Sequence, residues 1–343
     1  MSVRVEKQTL QGEMFLMKFI TTVCDLKDDK SCAVTFTTDD ALYRSCIYYQ
    51  SRFKEYGLKG TLMLPTQFIC PSPNAYITES NGFAGWEQWQ AFIGEGVFDV
   101  ANHTKSHPYL NQISAEQLED EVNGAQALLR EKFPGQKVLC MANPYVVTDD
   151  TIDAVIRQRH FSARDGGNGY NSLNPTEHEW YRLDFQTALH KSTAEEMNAW
   201  IDHAIENKLW LIEMWHGVDG QGWEPPSSEE YDKHLLYLSQ KLDTIWNGTM
   251  EEVTLYLREK QHTTVVTELI EEAELRVSLK HDLDNSLFQY PLTLKTEVPS
   301  DWNTARLICG RRDQILSVKE AGENRVVYYD AVPNSDILVL KKA

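Results

Sequence analysis

The feature that most constrains the fold of this chain is an alternation of short β-rich runs with helix-forming segments, which extends from about residue 33 to residue 261. Strands that alternate with helices pair in parallel, because each helix carries the chain back to the starting edge of the sheet. The pattern therefore predicts either a barrel or a doubly wound sheet. The predicted strands are Ala33–Thr38, Thr61–Pro65, Phe98–His103, Val138–Ala142, Phe161–Arg164, Leu209–Trp215 and Thr244–Trp246.

Helix-start and helix-stop signals lie between these runs. Three pairs of residues have the spacing of a capping box, in which two side chains satisfy backbone N–H groups at the start of a helix. They are Ser114 with Gln117, Thr193 with Glu196 and Ser227 with Glu230. The predicted helices include Ala41–Tyr56, which ends at Gly57, Ala115–Lys132 and Glu251–Gln261.

The pattern changes after about residue 263, where strand-like runs follow one another without a helix signal between them. This predicts a barrel domain over residues 1–262 and a small antiparallel, β-sandwich-like domain over residues 263–343. Packing against a neighbour is the expected role of the small domain, with carbohydrate binding or oligomer formation as alternatives. Its predicted strands are Glu274–Leu279, Leu292–Glu297, Ala305–Cys309, Arg325–Tyr329 and Ile337–Leu340.

Charge and composition exclude some partners. The formal net charge of −18 repels phosphate backbones and anionic membranes, so no nucleic-acid partner is expected. The apolar run Met14–Cys24 is interrupted by Lys18 and is too short for a membrane span. It also lacks the basic flank of a signal peptide, which favours a cytoplasmic chain, with export as the alternative if a leader has been removed. The six cysteines, at positions 24, 32, 46, 70, 140 and 309, have no CxxC spacing and are expected to be reduced and mostly buried.

Polar residues follow several of the predicted strands directly. Because the carboxyl ends of parallel strands meet at one rim of a barrel, we expect these side chains to converge there. They are Asp39 and Asp40 after the first strand, His103 and His107 at the third, Asn143 to Tyr145 after the fourth, Arg164 and Asp165 at the fifth, and His216 at the sixth.

Each of these signals has an ordinary alternative explanation. A pair of histidines four residues apart arises by chance in a chain with ten of them, and two aspartates after a strand are typical of a turn or helix cap. Their coincidence at matching strand ends favours a site. Two imidazoles and a carboxylate make a three-ligand site that prefers zinc, cobalt, nickel or iron to magnesium. A second carboxylate and a further histidine supply a base and an acid for hydrolysis.

This arrangement resembles the NodB-like polysaccharide deacetylases, carbohydrate esterase family 4, and in particular a bacterial subgroup with a C-terminal β domain. The matching segments are AVTFTTDDA at residues 33–41, HTKSHP at 103–108, NPY at 143–145 and MWH at 214–216. The resemblance implies a distorted (β/α)7 barrel and metal-assisted hydrolysis of an acetyl group. The expected metal is Zn²⁺, with Co²⁺ or Ni²⁺ as alternatives.

The resemblance also implies roles for individual residues. It makes Asp39 the general base, His216 the general acid and the Tyr145 backbone N–H a donor to the oxyanion. The implied metal ligands are Asp40, His103 and His107.

The chain departs from the family pattern at three points. Thr38 and Ala41 replace the usual phenylalanine and glycine, and the arginine that normally precedes the Pro-Tyr pair is missing. We hypothesise that Arg164 takes the place of this arginine and that Asp165 orients the general acid. If the base has no arginine partner, its pKa should be higher than in the family.

Aromatic residues near the strand ends permit a saccharide substrate, since aromatic rings stack on the apolar faces of sugars. The alternative is that these tryptophans pack in the core or in a lid. The candidate substrate-binding residues are Trp215, Trp223, Pro144 and Tyr170.

Three functions remain open at this point. The first is a deacetylase acting on an N- or O-acetylated glycan. The second is a metal-dependent amide or cyclic-imide hydrolase for a small molecule, and the third is a non-catalytic protein with a degenerate site. An open groove lined by aromatic residues favours the glycan, whereas a closed pocket with charged anchors favours the small molecule. The oligomeric state is not indicated.

Overall fold

The computed structural model describes residues 19–69, 84–271 and 274–343, and these form two compact units. The first unit comprises residues 30–254. The second combines the described residues before position 30, including strand β1 (Thr21–Val23), with those from Leu255 onward. The division therefore differs from the predicted one, which placed all residues up to 262 in the barrel domain.

The first unit is a closed barrel of seven parallel strands, which confirms the (β/α)7 fold. The strands pair in the order β3-β4-β5-β6-β7-β8-β2, and pairing between β2 and β3 closes the ring. The seven strands are β2 (Cys32–Thr38), β3 (Gly60–Leu64), β4 (Phe98–Asn102), β5 (Cys140–Ala142), β6 (Ser162–Asn168), β7 (Leu183–Thr187) and β8 (Trp210–Trp215).

The barrel is distorted where it closes, because β2 has three partners. Strand β8 pairs with β2 from Ala33 to Thr38 along one edge. The other edge is shared: a further strand, β9 (Ile245–Asn247), pairs with residues 32–34, and β3 pairs with residues 36–38. The barrel is thus closed directly between the carboxyl half of β2 and the amino half of β3.

The seven predicted strands are not the seven strands of the ring. The run at 244–246 is confirmed as strand β9, but β9 lies outside the ring. Strand β7 was not predicted, because its sequence, LDFQT, has only two apolar residues and lacks the β-branched run of its neighbours.

Helices connect the strands and cover the barrel. They are α1 (Tyr43–Tyr56), α2 (Trp86–Gly94), α3 (Ala115–Glu119), α4 (Ala125–Lys132), α5 (Asp150–Ile156), α6 (Ala194–Asn207), α7 (Ser228–Ser239) and α8 (Met250–His262). A single π-helical turn, Asp120–Gly124, joins α3 to α4, so the predicted helix over 115–132 is continuous but not uniform.

Most of the predicted helix caps are present in the structure. Gly57 ends α1 in the left-handed conformation, at φ 67°. The capping boxes at Ser114 and Thr193 are both formed. Ser227 caps α7 through the N–H of Glu230, but the Glu230 carboxylate accepts a hydrogen bond from the N–H of Ala194 at 2.6 Å.

Aromatic residues fill the space between the barrel strands and the outer helices. Trp215 is at the centre of this layer, with its ring 4.8 Å from that of Phe36, 5.1 Å from Tyr49 and 4.2 Å from Tyr231. The side chain of Trp215 is buried, so the end of β8 is fixed to α1 and α7 by packing.

The second unit consists of two antiparallel sheets, as the sequence predicts for the C-terminal region. One sheet has the order β1-β12-β16-β15 and the other β10-β11-β17-β13-β14. The strands are β10 (Thr264–Glu271), β11 (Glu274–Lys280), β12 (Leu292–Val298), β13 (Thr304–Cys309), β14 (Arg312–Ser317), β15 (Lys319–Ala321), β16 (Asn324–Ala331) and β17 (Leu338–Lys342).

The cysteines that the structure describes are reduced and mostly buried, as the sequence predicts. The five cysteines within the described ranges are free, four of them buried, and burial raises the pKa of Cys32 to about 12. Cys70 and residues 14–18 of the apolar run lie outside the described residues. Among the described helices, none is long and apolar enough to cross a bilayer.

A tight contact at the start of β3 gives a test of the barrel packing. A Cβ atom added at Gly60 would lie 2.6 Å from the ring of Phe98 and 2.8 Å from that of Phe53, and these two rings stack at 5.1 Å. Gly60→Ala should therefore destabilise the barrel by about 1–3 kcal/mol, which thermal unfolding would record as a Tm lower by several degrees. Gly94→Ala, at the end of α2 with open space around the new methyl group, is the control and should not lower Tm. Equal Tm values for both variants would show that the rings of Phe53 and Phe98 move aside without a loss of stability.

Candidate active site

Charged side chains from four strands meet at the carboxyl rim of the barrel. Asp39 and Asp40 follow β2, His103 follows β4, His216 follows β8, and Arg164 lies in β6. The backbone N–H of Asp39 donates to the carbonyl of Trp215, at 3.0 Å, and this extends the pairing of β2 with β8 to the residues before the site. The structure therefore brings together the residues that the strand-end argument selects.

Asp40, His103 and His107 form a compact cluster of possible metal ligands. One donor atom from each lies within 4.8 Å of the others. The Asp40 Oδ1 atom is 3.7 Å from Nε2 of His103 and 3.4 Å from Nε2 of His107. The Nδ1 atom of His103 is 2.8 Å from the carbonyl oxygen of Ala142, which fixes the ring with Nε2 directed at the cluster.

The protonation states of these residues fit a metal cation. Burial lowers the pKa of His103 to about 4 and also lowers that of His107, so both imidazoles are neutral and have a free lone pair. Burial and the neighbouring Asp39 charge raise the pKa of Asp40 to about 6. Oδ1 of Asp40 is buried and has no hydrogen-bond partner in the described part of the chain. Two imidazole nitrogens and an unpaired carboxylate oxygen are the donor set of a divalent transition metal.

Asp39 has a different environment from its neighbour. Its Oδ2 atom accepts a hydrogen bond of 2.5 Å from Arg164, and both side chains are almost completely buried. Although burial raises the pKa of Asp39, the charge of Arg164 together with His103 and His216 lowers it below its usual value. Arg164 is therefore the ion-pair partner of Asp39, and the pKa of this carboxyl is lowered and not raised.

His216 lies beside this ion pair. Its Nε2 atom is 3.9 Å from Oδ2 of Asp39, and its side chain is largely buried. Its Nδ1 atom is buried without a hydrogen-bond partner among the described residues. The ring contacts that of Trp223 edge to face at 5.1 Å.

The predicted role of Asp165 is wrong. Its Oδ2 atom accepts a hydrogen bond from Nδ2 of Asn143 at 2.7 Å, not from His216. Asp165 follows Arg164 in β6, and successive side chains of a strand point to opposite sides, so it faces away from the residues that Arg164 contacts. Burial raises the pKa of Asp165 to about 7.

Asn143 holds the turn that carries Tyr145. Besides Asp165, its Nδ2 donates to the carbonyl of Val147 at 3.2 Å. Tyr145 and Val146 both have positive φ, 58° and 57°, a conformation that is costly for residues other than glycine. The Tyr145 side chain is 52% exposed and its ring is 4.7 Å from that of His107.

Of the predicted substrate-binding residues, Trp223 lies exposed at the rim and Pro144 is buried beneath the turn of Tyr145. Two were placed wrongly. Trp215 is in the aromatic core, because it alternates with His216 along the strand direction. Tyr170 contacts His203 of α6 and precedes Asn171. Asn171 bridges to Trp210 at the amino end of β8, about 17 Å along the strand from its carboxyl end.

Glu121 was not among the predicted site residues, and it fixes the turn between His103 and His107. Its carboxylate accepts hydrogen bonds from the N–H groups of Lys105 at 2.9 Å and Ser106 at 2.8 Å, and from the Ser106 hydroxyl at 2.5 Å. Glu121 lies in the π-helical turn between α3 and α4, and the carbonyl of Val122 in the same turn accepts from Asn102 at 2.8 Å. Such turns are frequent at functional sites. No sequence signal marks it, since the segment has an ordinary helical pattern.

Comparisons with known proteins agree with this geometry. Residues 27–163 match the family model described as polysaccharide deacetylase. A gellan lyase from Bacillus sp is 21% identical over 299 residues, which are 80% of this chain, and this chain spans 11% of the length of that relative.

Two solved structures are similar to this chain over most of their own length. A Mycobacterium smegmatis protein whose description assigns it to the polysaccharide deacetylases has a TM-score of 0.50 at 12% identity, covering 73% of this chain and 98% of its own. A family 4 carbohydrate esterase from Streptomyces lividans, in complex with acetate, has a TM-score of 0.43 at 15% identity, covering 64% and 93%.

The contacts of Glu121 predict an effect on metal affinity. Glu121→Ala removes three hydrogen bonds from the turn between His103 and His107, and should weaken Zn²⁺ binding about tenfold or more in a titration against a chelating dye. Glu121→Gln can keep all three contacts, with the hydroxyl of Ser106 reversed to an acceptor, and should restore most of the affinity.

Asp120→Ala is the matched control for this prediction. It removes a neighbouring carboxylate that pairs with the partly exposed Lys105 ammonium at 2.7 Å, and should leave affinity almost unchanged. If the glutamine variant is as weak as the alanine variant, the charge of Glu121 and not its hydrogen bonds supports the ligands.

Proposed function

This chain carries a polysaccharide deacetylase domain, and we propose that it is a metal-dependent hydrolase that removes acetyl groups from an N- or O-acetylated poly- or oligosaccharide. The observation that carries the proposal is the meeting of three metal-ligand donors with an ion-paired carboxylate and a further histidine at one barrel rim. These groups are a ligand set, a base and an acid, which is what metal-assisted hydrolysis requires.

The proposed ligands are Asp40, His103 and His107, with Zn²⁺ as the preferred ion and Co²⁺ or Ni²⁺ as alternatives. When bound, such an ion supplies a positive charge that polarises the acetyl carbonyl and makes water more acidic. The protein provides neutral imidazoles for this purpose, and the hydrogen bond from His103 to the Ala142 carbonyl fixes its tautomer and direction.

Asp39 is the proposed general base. Its Oδ1 atom is buried and unpaired among the described residues, and is free to take a proton from the attacking water. Arg164 donates a hydrogen bond to Oδ2 of Asp39, and its positive charge favours the ionised carboxylate because it lowers the pKa of Asp39. The water oxygen then forms a bond to the acetyl carbon, and the backbone N–H of Tyr145 is the proposed donor to the developing oxyanion.

His216 is the proposed general acid. Its Nε2 atom is 3.9 Å from Oδ2 of Asp39, so the proposed acid lies beside the proposed base. As the C–N or C–O bond of the acetyl group breaks, Nε2 delivers a proton to the departing amine or alkoxide, and acetate is released.

A glycan substrate is supported over a small amide or imide by the exposed aromatic residues. Tyr145 and Trp223 are each 52% exposed and contact the proposed ligand His107 and the proposed acid His216. Exposed rings beside a reaction centre are typical of an open groove for sugars. Hydrolysis of a small amide or cyclic imide on the same fold is the alternative.

Acetate release tests the proposal directly. The protein loaded with Zn²⁺ or Co²⁺ should release acetate from at least one member of a panel of N- and O-acetylated saccharides. A chelator should stop the release and added metal should restore it, because the ligands alone supply no Lewis acid. If no saccharide is hydrolysed while the metal is bound, the alternative of a small-molecule hydrolase is favoured.

Two substitutions separate the base from the ligands. Asp39→Asn should lower kcat by at least about a hundredfold and leave the metal content at the level of the unmodified protein, since it removes a base and no ligand. His107→Ala should lower the metal content strongly, as measured by elemental analysis after dialysis. His203→Ala, an exposed histidine of α6, is the control and should change neither. Loss of metal in the asparagine variant would contradict the assignment of Asp39.

A further inference from the structure

A carboxylate is buried in β8, behind the residues that form the candidate active site. Glu213 is completely buried, and it precedes Trp215 by two positions, so both side chains point to the outer side of the barrel. His234 of α7 is also completely buried, and its Nε2 atom is 3.0 and 3.1 Å from the two carboxylate oxygens. The reaction proposed above uses neither residue.

Hydrogen bonds extend from this pair on both sides. The Nδ1 atom of His234 is 2.9 Å from Oδ1 of Asn198 in α6. Because carboxylate and amide oxygens only accept hydrogen bonds, the imidazole donates from both of its nitrogens. The Nε1–H group of Trp215 donates to Oε2 of Glu213 at 3.1 Å. The network therefore links β8 to α6 and α7 and fixes the direction of the Trp215 indole.

Trp215 connects this network to the proposed acid and base. It directly precedes His216, and its carbonyl accepts the hydrogen bond from the N–H of Asp39 at 3.0 Å. The hydroxyl of Thr37 donates to the carbonyl of Glu213 at 2.9 Å, so β2 and β8 are joined at this level by a side chain as well. The placement of the indole thus bears on the backbone that carries both His216 and Asp39.

Stability alone does not account for the network. Trp215 already packs against three aromatic rings, and replacing a buried polar pair by apolar residues of similar volume is often neutral for stability. Apolar contacts have little directionality, whereas a hydrogen bond weakens steeply when its angle departs from the optimum. A carboxylate at this position can therefore select one orientation of a large ring, which apolar packing does less well.

We propose, on the basis of the function proposed above, that Glu213 and His234 are positioning residues for the hydrolysis. They hold the indole of Trp215 in one orientation and thereby fix His216 relative to Asp39. Their effect is indirect, since they lie in the layer between β8 and the outer helices.

The main test removes the network and keeps the apolar volume. The double variant Glu213→Leu/His234→Leu should keep its Tm within about 5 °C of the unmodified protein. Its kcat for acetate release from the panel of acetylated saccharides should fall about tenfold or more, because the acid and base are no longer held in register. KM and Zn²⁺ affinity should change little, since none of the proposed ligands lies in β8.

A second variant keeps the proposal testable if the double variant does not fold. Trp215→Phe removes the indole N–H group and keeps an aromatic ring in the layer. It should also lower kcat while leaving Zn²⁺ affinity in place. An unchanged kcat in this variant would contradict the role of the hydrogen bond from Trp215 to Glu213.

A conservative variant and a matched control separate hydrogen bonding from general damage. In Glu213→Gln the amide oxygen can accept from Trp215, and the amide NH₂ group can donate to Nε2 of a neutral His234, so most of kcat should be retained. Tyr237→Phe removes a 2.7 Å hydrogen bond from α7 to Asp202 of α6, between the same two helices, and should leave kcat unchanged. A glutamine variant as slow as the double leucine variant would contradict positioning by hydrogen bonds.

The position of His216 is also measured without turnover. Long-range ¹H–¹⁵N NMR spectra of the Zn²⁺-loaded protein show the imidazole signals, and those of His216 are assigned by comparison with His216→Ala. They should shift in the double leucine variant and stay in place in Tyr237→Phe.

The outcomes distinguish this proposal from the proposed function. Shifted His216 signals together with a lower kcat support it. If kcat is unchanged in a folded double leucine variant, whether or not the signals shift, the positioning role is overturned and the deacetylase stands. Shifted signals in a protein that releases no acetate would contradict the deacetylase, while supporting the network as the device that places His216.

Discussion

Strand β2 forms backbone hydrogen bonds with β8 on one edge and divides its other edge between β9 and β3. Asp39 and Asp40 continue from the carboxyl end of this strand, where the direct pairing of β2 with β3 closes the ring. Because the N–H of Asp39 is also bonded to the carbonyl of Trp215, the start of the acidic pair and the residue before His216 are held in register. The positions of the proposed base and acid thus follow from backbone pairing, before any side-chain contact is considered.

Two carboxylates at adjacent positions repel each other, and among the described residues the two have different environments: Asp39 is paired with an arginine and Asp40 is not. Arg164, from β6 across the barrel, pairs with Asp39, and its positive charge lowers the pKa of this carboxyl. Asp40 has no such partner, and burial beside a charged neighbour raises its pKa. A divalent cation between Asp40 and the two imidazoles would supply the missing positive charge. The two aspartates are therefore not equivalent, and we propose Asp39 as the base and Asp40 as the ligand.

The sequence predicts the residues that follow strands better than those that depend on side-chain direction. Asp39, Asp40, His103 and His216 converge because parallel strands end at one rim, and that rule needs only the strand boundaries. Trp215 and Asp165 were placed wrongly although a signal was present. Each is adjacent to a residue that faces the site, and alternation along a strand turns it to the other side.

Other features have no local sequence signal at all. Strand β7 has too few apolar residues to be recognised, and it is a member of the barrel because β6 and β8 pair with it. The π-helical turn that places Glu121 depends on hydrogen bonds with residues 102–106, distant in sequence. The stacking of Tyr109 on Tyr145 requires two loops from different strands to meet. In each case tertiary contacts override a sequence pattern that is compatible with several structures.

The exposure of the aromatic residues also bears on why the chain retains a strained turn. If Tyr145 served only to direct its backbone N–H at an oxyanion, a smaller residue would meet the requirement, and glycine would do so without the cost of a positive φ. The tyrosine side chain, stacked on Tyr109 and half exposed, is unnecessary for that role. A ring kept in the open next to a metal-ligand cluster is explained if it contributes binding energy from parts of the substrate that do not react. Such remote binding positions the reacting acetyl group.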